Sequence, residues 1–173
     1  MTAYVPDHRD VVKEITGVPQ MSTGAPMPLL VQSEYRCSVA YICGNFEPSS
    51  DGTTVRVASA GDDEPIVIVE FGSVRASYFG PPNDEAMGGH PLAARGLQYY
   101  AAHEVFDSSW IRALEKMNRV HHRHTASLFA GLRHFIWTFH DSTFECVANG
   151  YTVRMLEGSV AKALMLLLDE GNG

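Results

Sequence analysis

Between Leu132 and Leu156 the chain reads LRHFIWTFHDSTFECVANGYTVRML, its densest block of aromatic and β-branched residues. Phe135, Trp137 and Phe139 are large and apolar at odd positions, against mixed His134, Ile136, Thr138 and His140 at even ones. Strand side chains alternate faces with a period of two, so the pattern predicts a half-buried strand. Beyond Asp141-Ser142 the apolar parity switches to Phe144, Cys146 and Ala148. A two-residue turn at Asp141-Ser142 accounts for the switch by placing Phe139 opposite Phe144, Trp137 opposite Cys146 and Phe135 opposite Ala148. A bulge there, leaving one long bent strand, is the competing reading. Asn149-Gly150 is the strongest short hairpin signal, because both central residues of a type I′ turn need φ > 0. That turn sets Ala148 opposite Tyr151, Cys146 opposite Val153, Phe144 opposite Met155 and Glu145 opposite Arg154, an opposite-charge cross-strand pair.

The same patterning carries through the rest of the chain. Asp7 is placed to cap a short helix over residues 7–16, with Val11, Val12 and Ile15 on one side and Gly17 as a stop. Residues 18–28, rich in proline, read as an extended lead-in. Alternation over 35–43 predicts a strand, 45–52 a turn-rich connection, and 53–59 a shorter strand. Residues 65–71 (PIVIVEF) are apolar on both faces, as a central strand is. Gly72-Ser73 fits a type II′ hairpin that pairs Phe71 with Val74, Glu70 with Arg75, Val69 with Ala76 and Val67 with Tyr78. Residues 80–98 form a long Gly- and Pro-rich loop, uncommon inside a domain unless it is functional or mobile. A strand is expected over 99–106, then a helix over 110–120 capped by Ser108 or Ser109, then a helical turn within 125–131. Ser159 caps a last helix over 160–170, apolar almost all round and therefore expected to dock on the sheet. The sum is an α+β fold. A mainly antiparallel sheet of about seven or eight strands, sandwich or partial barrel, carries a few short helices including a C-terminal one.

At 173 residues the chain is long enough to bury a core without staples, and residues 1–173 read as a single domain. A net charge of −7 argues against binding nucleic acid or an anionic membrane, either of which needs a basic face. No apolar run approaches the ~20 residues that cross a bilayer, and the charged N-terminus lacks the apolar stretch of a secretory signal. Three cysteines (Cys37, Cys43, Cys146), odd in number and without CxxC spacing, fit reduced thiols of a cytoplasmic protein. Cys146 falls mid-strand facing the expected core and no Ser lies in GxSxG, so a nucleophilic hydrolase is disfavoured.

Three groups of residues bear chemistry. On the polar side of the C-terminal block, His134, Thr138, His140, Thr143, Glu145 and Arg154 share a face if the register holds. An imidazole beside a carboxylate begins a general acid/base pair or a metal site, with a solvated or helix-covered outer face as the plain alternative. His121, His122 and His124 cluster after a helix end, where imidazoles chelate divalent metals or simply complement the helix dipole. In the long loop, Gly88-Gly89 lets backbone approach a ligand while His90 and Arg95 would hold an anionic group.

The leading expectation is a small-molecule-binding domain, in its enzymatic version acting by acid–base or metal-assisted chemistry on a small anionic ligand. There His140 or His90 transfers the proton, Glu145 orients it, and Arg95 or Arg154 anchors the anion, with a divalent metal optional. Thr138 and His134 would complete the ligand contacts. The rival is a non-enzymatic interaction module of the inhibitor, antitoxin or assembly type, or a homodimer joined through sheet edges or the loop. Convergence of His140, Glu145 and either His90 or Arg95 on one concavity separates the two.

Overall fold

The computed structural model describes residues 4–34, 36–44 and 61–169, and among these the alternating segments form nine strands in two antiparallel sheets. In chain order the strands are β1 (Val11–Glu14), β2 (Leu29–Gln32), β3 (Cys37–Ile42), β4 (Glu64–Gly72), β5 (Ala76–Gly80), β6 (Ala102–Phe106), β7 (Arg133–Thr138), β8 (Thr143–Ala148) and β9 (Gly150–Gly158). Among the described residues a five-stranded sheet runs β1-β6-β7-β8-β5 and a four-stranded one β2-β3-β4-β9, and neither closes into a barrel. Three α-helices accompany them: α1 (Ser109–Asn118), α2 (Ser127–Ala130) and α3 (Val160–Asp169). The strand expected over 53–59 and the turn at 45–52 lie outside the described residues.

Period-two alternation sorts the side chains into layers. Cys37, Val39, Tyr41, Val67, Val69 and Phe71 of one sheet meet Phe135, Trp137, Phe144, Cys146 and Ala148 of the other in the central core. The opposite face of β4 carries Ile66 and Ile68, which with Ala40 receive Ala163 and Leu167 of α3. This is why 65–71 is apolar on both sides, and the C-terminal helix docks as expected. Ser159 caps it by accepting the Lys162 N–H (3.2 Å). On the far face of the five-stranded sheet, Ile136, Val105 and Val147 lie beneath Tyr4, Met87, Leu92, Leu97 and Trp110. The N-terminal segment, the loop after β5 and α1 therefore roof that face.

Four local expectations are corrected. The first turn is centred on His140-Asp141, since Phe139 N–H donates to Ser142 O (2.8 Å) and Trp137 pairs with Phe144, not Cys146. A slip of two residues preserves parity, so each side chain keeps its face.

Neither Gly72-Ser73 nor Asn149-Gly150 closes a hairpin. β4 pairs with β9 down to Gly72↔Gly150, and β5 pairs with β8 from Ala76↔Val147. The segments thus make one long two-stranded ribbon that crosses from sheet to sheet at this corner, where Ser73 takes φ +53°. Asn149 N–H donates to Gly72 O (2.9 Å) and Arg75 N–H to Val147 O (2.8 Å), which stitches the bend. Asn149 and Gly150 lack the positive φ that a type I′ turn requires. Pairing β8 between β7 and β5 buries all of Thr143–Ala148, whereas most of β9 stays at least partly exposed. Burial outweighs the local turn signal. Arg154 consequently lies on the other sheet from Glu145, 3.5 Å from Glu70.

Lastly, residues 7–16 contain strand β1 rather than a helix, with Val11↔Phe106 and Val12↔Val105 paired along β6. Asp10 is the side chain that organises this entry. Its carboxylate accepts the N–H groups of Asp7 (2.7 Å) and Ser109 (2.6 Å), tying β1 to the start of α1.

Candidate functional site

Glu145 stands at an odd position of β8, opposite Ile136 and two residues from the His134–Val147 pair on the same face. Its side chain therefore points to the roofed face, where the carboxylate is almost wholly enclosed, with 6% of the residue exposed. Three donors from separate parts of the chain reach it. His134 of β7 lies at 3.0 Å from Oε2, His90 of the long loop at 3.1 Å from Oε1, and the Tyr4 hydroxyl donates to Oε2 at 2.7 Å.

The remaining hydrogen bonds fix what each imidazole carries. His90 Nδ1 accepts the Leu92 N–H (3.1 Å), so its proton sits on Nε2 and is donated to the carboxylate. His134 Nδ1 meets the Ser108 hydroxyl at 2.9 Å, leaving Nε2–H for Glu145. Ser108 also caps α1 by accepting the Ile111 N–H (3.3 Å). Burial works against charge on Glu145, but hydrogen bonds from His134 and His90 outweigh it and hold the carboxyl down to about 2. Burial first, then the Glu145 charge, pushes the Tyr4 phenol far above its ordinary range. The result is a desolvated, ionised carboxylate held in place by three side-chain donors.

Above it opens a cavity of about 610 Å³, within the range of small-molecule sites. Pro81, Pro82 and Pro91 of the loop, Tyr78 of β5, Tyr4 and Trp110 form its walls, with Glu145 and His90 in the lining and Asp141 beside them. Tyr4 and Trp110 stack on each other (5.4 Å between ring centroids), and both set an edge or face against His134. The aromatic wall and the carboxylate network are thus one packed unit.

Of the residues singled out from sequence, Glu145, His90 and His134 come together here. His140 does not. It forms a neighbouring latch, where Nδ1 lies 2.8 Å from Asp84 Oδ2 and Tyr100, at φ +52°, donates to the same oxygen. Thr138 spends its hydroxyl on the Gln98 carbonyl (2.9 Å), and Arg95 donates to the Asp10 carbonyl (3.2 Å). His121 and His122 stack in the open (4.7 Å), while His124 is held by Glu115 (2.8 Å) and Asn118 (3.0 Å). Among the described residues no group of three His, Cys, Asp or Glu is arranged to hold a metal. Cys37, Cys43 and Cys146 are free and buried, and burial pushes the Cys37 thiol up to about 12. His103 is a further buried imidazole: burial lowers it to about 4, and its Nε2 accepts the Gln98 N–H (3.0 Å).

Sequence reasoning missed Tyr4, Ser108 as a partner of His134, Trp110 as cavity wall, and the Asp84–Tyr100 half of the latch. Among these, Ser108 carried a local signal as a helix cap. Comparison with protein-family models, curated proteins and solved structures found no match.

Two expected results follow from this geometry. Ser108→Ala removes both the cap and the support of His134, so stability should fall by about 1–2 kcal/mol in chemical denaturation. At the latch, the Asp84 hydrogen bond raises His140 above its ordinary 6.5. Its contribution is therefore complete below that value and fades as pH rises through the folded one. Asp84 is lowered by Tyr100 and then His140, so its share is present above 3.8 and lost as pH falls through the depressed value. The melting-temperature gap between the protein and His140→Ala should accordingly be wider at about pH 5.5 than at about pH 9. An unchanged gap would remove the latch.

Proposed function

We propose that this chain binds a small molecule in the cavity beneath the 81–98 loop, with Glu145 as the fixed charge that the ligand meets. The observation that carries this is a carboxylate enclosed at a cavity wall and kept ionised by Tyr4, His90 and His134. Burying a charge is costly, and a fold that needed only packing there would place an apolar residue.

Binding is better supported than acid–base catalysis. Both ring nitrogens of His90 and of His134 are already engaged within the protein, so neither offers a lone pair or proton to a substrate. A carboxyl held near 2 is a weak base at neutral pH. The same tautomer argument leaves His90 Nε2 without a lone pair for a metal. An interaction role would draw on Met117, Val120 and Leu128, exposed around the end of α1 and at α2, but that surface does not account for the buried charge.

The test is a thermal-shift screen of amines, alcohols, carboxylates, sugars and nucleosides on the purified protein and on Ala86→Trp. Ala86 is an exposed cavity-lining position where a bulky ring would fill the space. At least one compound class should raise the melting temperature of the protein and leave the variant unmoved. A flat response across all classes, or equal shifts in both proteins, would refute the cavity as a ligand site.

A further inference from the structure

Resting on that reading, we infer that the cavity selects a ligand with an N–H-bearing cationic head, a primary or secondary ammonium group carried on an aromatic or alkyl body. The acceptor inventory of Glu145 is the first reason. Oε2 already accepts from both the Tyr4 hydroxyl and His134, whereas among the described residues Oε1 accepts only from His90. A carboxylate oxygen has room for two donors, so Oε1 keeps one site for a donor arriving from the cavity that Glu145 lines. An incoming N⁺–H would complete a charge-assisted bond there, stronger than a neutral one in such a dry setting.

The second reason is charge. The lining contains two carboxylates, Glu145 and Asp141, and no Lys or Arg among the described residues. Arg95 is bound to the Asp10 carbonyl and Arg154 sits by Glu70 on the other sheet, so neither guanidinium serves as an anion anchor at this cavity. An anionic ligand would meet an ionised, desolvated carboxylate with nothing to offset the repulsion. The third is the wall. Tyr4, Trp110 and Tyr78 present aromatic surface, whose ring faces attract a cation and whose area suits an apolar body. Charge, free acceptor and wall favour the same chemical class.

An isosteric series tests it: benzylamine, benzyl alcohol and benzoate titrated at neutral pH against the protein, Asp141→Asn and Glu145→Gln, with binding read by calorimetry or ligand-observed NMR. Benzylamine should bind at least about tenfold more tightly than benzyl alcohol, with benzoate weakest of the three. Glu145→Gln should erase most of that preference while benzyl alcohol binding changes little. Should Glu145→Gln fail to fold, Asp141→Asn, at an exposed position, serves instead and should narrow the amine preference measurably. Benzoate binding as well as benzylamine, or an amine preference untouched in both variants, would overturn the cationic class and leave the cavity reading standing. No binding by any of the three would also overturn it, while the wider screen with Ala86→Trp decides the cavity separately.

Discussion

Trp137→Ala is expected to lower folding stability by about 3–5 kcal/mol, measured as a shift of the denaturation midpoint at unchanged slope. The indole is fully buried between the sheets, with edge-on contacts to Phe71 (5.2 Å) and Tyr151 (5.6 Å) and a further one to Phe135 (6.2 Å). Phe71 and Tyr151 belong to β4 and β9 of the four-stranded sheet, while Trp137 and Phe135 lie on β7. The ring thus fills the seam between the two layers near the corner where the long ribbon crosses over. Truncation there loses transfer energy and leaves a void that paired strands on both sides resist closing. A change within measurement error would mean that the sheets do not meet on this face.

That face was legible because period two survives errors of register. Shifting the β7–β8 turn from Asp141-Ser142 to His140-Asp141 moved every partner by two residues and no side chain to the other side. Glu145 and His134 therefore share a face, as the alternation implied. The crossovers were not legible, since Gly-Ser and Asn-Gly are locally indistinguishable from hairpin turns. What decides between turn and bend is whether β8 gains more by pairing with β7 and β5 than with β9, a question of distant partners. Likewise nothing around Tyr4 in sequence points to a carboxylate on β8, 141 positions away. His90 was singled out for its long Gly- and Pro-rich loop and His134 for its alternation. That both would spend their protons on one acceptor is a property of the roof over the sheet, which only packing creates.

Glu145→Ala tests that roof most directly, and its cost should be of the same order, about 3–5 kcal/mol. The substitution deletes the acceptor on which Tyr4, His90 and His134 converge, stranding three buried donors. Glu145→Gln should be milder, since its amide retains one acceptor oxygen while its nitrogen confronts a donor. Titration separates charge from packing. With the folded carboxyl near 2 against an ordinary 4.5, its ionisation adds stability that is complete above 4.5 and is lost as pH falls toward 2. The gap between the protein and Glu145→Ala should therefore be widest near neutrality and shrink steadily on acidification to about pH 3. A gap of constant size across that range would show that the side chain merely occupies space, and that the three donors are not holding a negative charge at all.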